Sequence, residues 1–313
     1  MSPIDLLVAG PQLPALMKAL DQHFTVHRLW EMDDRAAFLR EKGATIRAVV
    51  TSFIYGADAI LLDSLPNLEI VASYGVGLDR LDLETLKRRG ILLTNTPDIN
   101  EPVADLAMSL LLAVTRRVCE GDRFVRAGEW PRKSFPFGVS LQGKTCGIVG
   151  LGRIGKSVAK RAEAFGMKIA YYGPHAKPEV AYEYFKDLKA LAQASDFLVL
   201  ALPGGPETRH VINAEVLAAL GTTGFLINVA RGSVVDEPAL IQALKTGQIA
   251  GAGLDVFERE PLADSPLMAM ENVVLLPHIA SATDEMRHTM GEVVLDNLKA
   301  HFSGKPLHTP VPL

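Results

Sequence analysis

The chain has 313 residues, about twice the length at which one hydrophobic core is usually built, so two domains are expected. It is 48% hydrophobic and 22% charged, with 26 Gly and 19 Pro spread along its length, which excludes disorder, collagen and coiled coil. Lys plus Arg number 32 against 36 Asp plus Glu, a net charge of −4 shared by both halves, so no basic field awaits nucleic acid. The longest apolar runs, such as LAMSLLLAV at 106–114, fall short of the roughly 18 to 20 residues a bilayer span needs. The start, MSPIDLLVAG, carries no export pattern, so a cytoplasmic protein is expected. Cys119 and Cys146 have neither a CxxC spacing nor a neighbouring His, which suits a reducing compartment, argues against structural zinc and predicts two buried thiols.

Short β-rich runs alternate with helical patterns, the signature of α/β architecture with parallel sheets. Runs at 4–10, 24–30, 46–52, 68–75 and 90–96 predict five strands of one sheet. After Pro97, the spacing of Val103, Leu106, Ala107, Leu110, Leu111 and Val114 predicts a helix. The polar and aromatic stretch 128–144 reads as a long loop, with Trp130 and Phe135 as a candidate dimer arm. Runs at 145–150, 168–173, 196–202, 224–230, 251–257 and 272–278 predict six strands of a second sheet. A helical pattern returns over 282–302. The expected division is a discontinuous substrate domain, 1–98 with 285–313, and a dinucleotide-binding domain, 99–284. Segments near Pro97 and Asp98 and near Thr283 to Glu285 are the expected hinges, with the cleft between the domains.

The predicted strand TCGIVG runs into GLGRIG (150–155), with a helix, KSVAKRAEAFG, directly after it. In that context GxGxxG has a mechanism. Gly150 permits the tight turn, Gly152 lets a pyrophosphate approach the backbone, and Gly155 lets helix pack on strand, while the amides of the turn, Arg153 and Ile154 included, face the phosphates. About 20 residues on, where an NAD site usually places Asp or Glu, stands Gly173. No carboxylate repels a 2′-phosphate there, and His175 and Lys177 follow to neutralise it. NADP is therefore favoured, with NAD possible.

Three later strands end in polar groups: Arg231 in NVARGSVVDE, Asp255 with Glu260 in GLDVFEREP, and His278 in LLPHIASAT. Carboxyl ends of strands are where open α/β sheets bind ligands. Arg231 offers a fixed fork to a carboxylate and can polarise a keto oxygen. His278 carries an imidazole, which unperturbed titrates at about 6.5 and can give a proton to a forming alkoxide. Glu260, with Glu258 as its rival, would hold the far ring nitrogen. Together they suit hydride transfer to a 2-keto acid.

These phrases, with YGVGLDRLD (74–82) and NTPDINEPVADLAMSLLLA (95–113), closely resemble the D-isomer-specific 2-hydroxyacid dehydrogenases, and the likeness covers nearly the whole chain. Within that family, NTPD, FEREP and the ending HFSGKPL resemble glyoxylate/hydroxypyruvate and hydroxyphenylpyruvate reductases. The resemblance implies a Rossmann-type cofactor domain, a flavodoxin-like substrate domain and a homodimer. It implies catalytic Arg231, Glu260 and His278, and selects Glu260 over Glu258 because the family's acid directly precedes Pro261. It places Asp255 and Val103 at the nicotinamide, and the amides of Val76 and Gly77 on the substrate carboxylate beside Arg231 and His278. Gly75 and Gly77 suit such an anion nest. Tyr74, Ile54 and Tyr55 are candidates to line the substrate side. NADP-preferring relatives often carry Ser-Arg where this chain has Gly173-Pro174. Two rivals remain open at this point: a cofactor-gated corepressor on the same scaffold, and a formate- or phosphite-type dehydrogenase.

Overall fold

A computed structural model describes residues 4–97 and 100–313, so Asp98 of the first expected hinge lies outside the described residues. The elements in chain order begin with β1 (Asp5–Val8), α1 (Pro14–His23), β2 (Thr25–Arg28), α2 (Arg35–Lys42), β3 (Ile46–Ser52), α3 (Ala59–Asp63), β4 (Ile70–Tyr74), α4 (Leu83–Arg89) and β5 (Leu92–Thr94). There follow α5 (Asn100–Thr115), α6 (Val118–Arg126), β6 (Thr145–Val149), α7 (Arg153–Ala164), β7 (Lys168–Tyr172), β8 (Glu183–Phe185), α8 (Leu188–Ala194) and β9 (Phe197–Leu200). The last are α9 (Ala214–Leu220), β10 (Phe225–Asn228), α10 (Glu237–Lys245), β11 (Gly251–Leu254), β12 (Val273–Leu275) and α11 (Asp284–Phe302). Two compact units divide them: Met1–Ile99 with Ala282–Leu313, and Asn100–Ser281.

The first unit holds a parallel five-stranded sheet, ordered β2-β1-β3-β4-β5, the flavodoxin-like arrangement. Both of its faces are covered, which is why its strands read as unbroken apolar runs rather than alternating ones. Leu6, Val8, Val50 and Ala72 meet Leu16 and Leu20 of α1 and Met290, Val294 and Leu298 of α11. Leu7, Val49 and Val71 face the other way, onto Leu62 of α3 and Leu86 of α4. Polar N-cap residues start several of the helices. Asp58 and Asp82 each accept an N–H from the first turn they precede, as Thr283 does for α11.

The second unit holds a parallel seven-stranded sheet, ordered β12-β11-β10-β9-β6-β7-β8. From β6 the chain builds outward through β7 and β8, then crosses to β9 on the other side of β6. That reversal is the topological switch point of a Rossmann-type fold, with a crevice at the strands' carboxyl ends. One face buries Leu198, Leu226 and Leu254 against Leu191, Leu217, Leu240 and Leu244. On the other, α5 packs on α7 and on β10 and β11, with Leu110 in tight contact with the position a Cβ on Gly253 would take.

Several readings need correction. The second sheet has a seventh strand, β8, whose sequence EYF is too short and polar-flanked to show period-2 alternation. A helix, α6, precedes the 128–144 loop. Helix α7 starts at Arg153, inside the glycine motif rather than after it. Run 24–30 leaves the sheet at Arg28 for a 3-10 turn. Cys146 is buried, but Cys119 is only half-buried; burial pushes the Cys146 thiol up to about 12. The outer strands β2, β5, β8 and β12 have only three or four residues each, and the tail closes the β5 edge through a Thr94–Pro310 bridge and the Val311 N–H on Leu93 O at 2.8 Å. Among the described residues no helix is long and apolar enough to cross a membrane.

Candidate active site

The glycine turn is built from backbone. Gly150 leaves β6 at φ 94, a conformation that strains any L side chain, and a Cβ there would sit 2.9 Å from Ala201 O. A Cβ on Gly155 would run into the Gly150 carbonyl, so helix and strand touch directly. At Gly152, which caps α7, a Cβ would meet nothing within 4 Å. The space above that amide is therefore open. The first turn of α7 carries no acidic residue of its own, and the Arg153 and Ile154 N–H groups lie at the positive end of its dipole. This donor set fits a dinucleotide pyrophosphate.

After β7, Gly173 is half-buried, and a Cβ on it would also meet nothing within 4 Å. Tyr184 Oη donates to Gly173 O at 3.1 Å and Lys177 N–H donates to Tyr171 Oη at 2.6 Å, pinning the turn that carries exposed His175 and half-buried Lys177. Glu179, not singled out in the sequence, binds Lys156 at 2.9 Å. The hydrogen bond from Lys156, with the charge of Lys177, holds its carboxyl below the usual range.

Arg231, Asp255, Glu260 and His278 follow three adjacent strands. At the end of β10, buried Asn228 accepts the Ala230 N–H and donates to Arg231 O, both at 3.0 Å, fixing the backbone from which Arg231 projects. The Arg231 guanidinium also donates to Ala230 O at 2.6 Å. Beyond β11, the fully buried Asp255 carboxylate accepts N–H groups from Ile279 (2.8 Å) and Ala280 (2.9 Å), and its carbonyl accepts the His278 N–H at 2.9 Å. Burial pushes the Asp255 carboxyl up, against these two bonds. The three contacts hold His278 at φ 55, a costly conformation for a non-glycine residue that persists only where surroundings over-determine it.

His278 Nδ1 lies 2.7 Å from Glu260 Oε2, and Glu260 Oε1 accepts the Phe257 N–H at 3.0 Å. Burial pushes the Glu260 carboxyl up, but the hydrogen bonds from His278 and Phe257 and the charges of His278 and Arg231 outweigh it, leaving it below its ordinary range. An ionised Glu260 keeps a proton on Nδ1 and leaves Nε2 for chemistry. Glu258 turns elsewhere, to Arg209 Nη2 and His210 Nε2, each at 3.0 Å.

In the first unit, Gly75 has φ 145, but its N–H donates to Thr96 Oγ1 at 2.9 Å and is not available to an anion. Among the described residues the Val76 and Gly77 N–H groups take no partner. Tyr74 belongs to the core, its hydroxyl donating to Arg287 O at 2.8 Å, so it does not line an open surface. Ile54 and Tyr55 are exposed, with the Tyr55 ring against Gly10. Val103 is buried on α5.

Residues 108–280 match the family model of the D-isomer specific 2-hydroxyacid dehydrogenase NAD binding domain. The chain belongs to this family. It is 49% identical, over 99% of its length and 100% of the relative's, to glyoxylate/hydroxypyruvate reductase A of Arabidopsis thaliana. It is 50% identical, with the same coverage, to a hydroxyphenylpyruvate reductase of Plectranthus scutellarioides. Among solved structures, the NADPH-dependent glyoxylate/hydroxypyruvate reductase of Sinorhizobium meliloti in complex with NADP and malonate matches 99% of this chain and 97% of that one, at a TM-score of 0.93 and 44% identity. The protein is thus an NAD(P)-dependent oxidoreductase acting between 2-keto and 2-hydroxy acids.

Proposed function

We propose that the chain reduces a small 2-keto acid, glyoxylate or hydroxypyruvate, to the 2-hydroxy acid with NADPH preferred over NADH. The observation that carries this reading is the 2.7 Å His278–Glu260 pair within the field of Arg231. When bound, the reduced nicotinamide supplies the hydride. Arg231 holds the substrate carboxylate and polarises its keto oxygen. His278 Nε2 gives the proton to the forming alkoxide, and Glu260 holds the imidazolium in place. Val76 and Gly77 add amides to the carboxylate, with residues 1–98 and 285–313 as the substrate half. Gly150, Gly152, Arg153, Ile154 and Gly155 would hold the pyrophosphate in the dinucleotide half, residues 99–284. Gly173, His175 and Lys177 would receive the 2′-phosphate, while Asp255 and Val103 would serve the nicotinamide end of the site.

The NADP preference draws support from the missing carboxylate at Gly173 and from the NADP complex of the Sinorhizobium meliloti relative. Dimer formation draws support from exposed Val118, Val125, Trp130 and Phe137 on α6 and the loop after it, whereas Phe135, the other residue expected in the arm, turns back onto Phe124; light scattering after size exclusion measures it. The unpaired cysteines suit the reducing cytoplasm. Initial rates with glyoxylate, hydroxypyruvate, phenylpyruvate and 2-ketogluconate, each with NADPH and NADH, test substrate and cofactor together. Turnover of none of them, or faster turnover with NADH, would overturn the corresponding part.

A further inference from the structure

Glu260 is useful to His278 only if the loop carrying it is fixed relative to the end of β12. That loop, 257–260, has an anchor that takes no part in the chemistry just described. The Glu258 carboxylate accepts from Arg209 Nη2 and His210 Nε2 at 3.0 Å each, and the Glu258 N–H donates to Glu237 Oε2 at 3.0 Å. His210 sits at φ 50, a left-handed conformation that a non-glycine residue holds only where its surroundings fix it, and its N–H is tied to Ser233 O at 2.9 Å. Ser233 follows Gly232, where a Cβ would overlap the Phe257 carbonyl, so the segment carrying Arg231 rests backbone to backbone on the loop carrying Glu260. Segments 209–212, 231–237 and 257–260 all meet at Glu258.

We infer that Glu258 is a positioning residue: by clasping Arg209 and His210 it fixes the 257–260 loop and so holds Glu260 against His278. An isolated exposed ion pair contributes little. This carboxylate is half-buried with two donors on one oxygen, and it stands two residues from the group it positions. The inference rests on the reaction proposed above.

A double-mutant cycle separates positioning from general support of the fold. With hydroxypyruvate and NADPH, Glu258→Ala lowers kcat about tenfold, the scale of a modest misplacement of a catalytic group. The NADPH dissociation constant, read by fluorescence titration, stays within about twofold of wild type, because the cofactor turn is untouched. In a Glu260→Ala background the same substitution costs nothing further, since the His278 contact it protects has been removed. Glu258→Gln keeps an acceptor for both donors and retains kcat within about threefold. Arg209→Met, at a more exposed position, gives a smaller loss that also vanishes with Glu260→Ala, and it decides the matter if Glu258→Ala does not fold. The inference is overturned by equal losses in the two backgrounds, by an unchanged kcat in Glu258→Ala, or by NADPH affinity falling in step with kcat. A wild-type protein that reduces no 2-keto acid would overturn the proposed function, and this inference with it.

Discussion

Two loop systems at the carboxyl edge of the seven-stranded sheet solve different problems by different means. The turn after β6 presents amides, and its glycines matter for the side chains they lack: Gly150 for its turn, Gly155 for a direct helix–strand contact, Gly152 for open space. The loops after β10, β11 and β12 present side chains whose backbone is pinned by a nearby residue or by a neighbouring loop. Asn228 holds the Arg231 backbone, Asp255 holds the His278 segment and Glu258 ties down the Glu260 loop. A phosphate can be bound by a generic anion cradle, whereas proton transfer needs one nitrogen in one place. Binding and chemistry should therefore separate under mutation.

His278→Ala gives the largest effect, a loss of turnover of about 10² to 10⁴ with NADPH affinity nearly unchanged. Stopped-flow reduction alongside a binding titration checks both, and undiminished turnover would remove His278 from its role. Gly152→Ala does the reverse. Its Cβ meets no protein atom, so the fold is kept, but the methyl occupies the space above the amide and weakens NADPH binding by roughly tenfold or more, with kcat largely preserved at saturation. Unchanged NADPH affinity in that variant would dissolve the contrast between the two loop systems.

Gly173→Asp sharpens the comparison within the cofactor half. The added carboxylate has room, repels a 2′-phosphate and can accept from a ribose hydroxyl, so the NADPH-to-NADH ratio of kcat/KM falls by about tenfold. A ratio that stays put would place 2′-recognition elsewhere. The smallest effect is a pH dependence of stability. The Glu260 carboxyl lies below its ordinary value of 4.5 in the folded protein, so its ionised form stabilises the native state above that pH, and this contribution is lost as pH falls through the folded value. Urea unfolding should therefore show the gap between wild type and Glu260→Gln shrinking on acidification from neutrality. A gap that widens would contradict the assigned direction.

Much of this was legible in the sequence because strand-end chemistry leaves local marks. Arg231, Asp255 and His278 each follow an apolar run within a few residues, and GLGRIG sits between a strand pattern and a helix pattern. The α/β class and both sheets follow from the same runs. What was not legible depends on contacts across long separations or on elements too short to have a period. By residue chemistry alone Glu258 and Glu260 were rivals; they are told apart by Arg209 and His210, almost fifty residues upstream, which engage Glu258. Asp255 could be marked as a polar strand end, but not as a clamp on amides 24 and 25 residues further on. Gly75 looked like a nest glycine, and only the fold brings Thr96 Oγ1 to its amide. Strand β8 has three residues and no pattern to read.

The brevity of the outer strands bears on how copies of this molecule avoid one another. A long unpaired rim would invite intermolecular ladder growth and precipitation. Here β2, β5, β8 and β12 stop after three or four residues, and Pro310 and Val311 occupy the rim of β5. Trimming that tail should lower solubility during expression while leaving the nucleotide half unaffected.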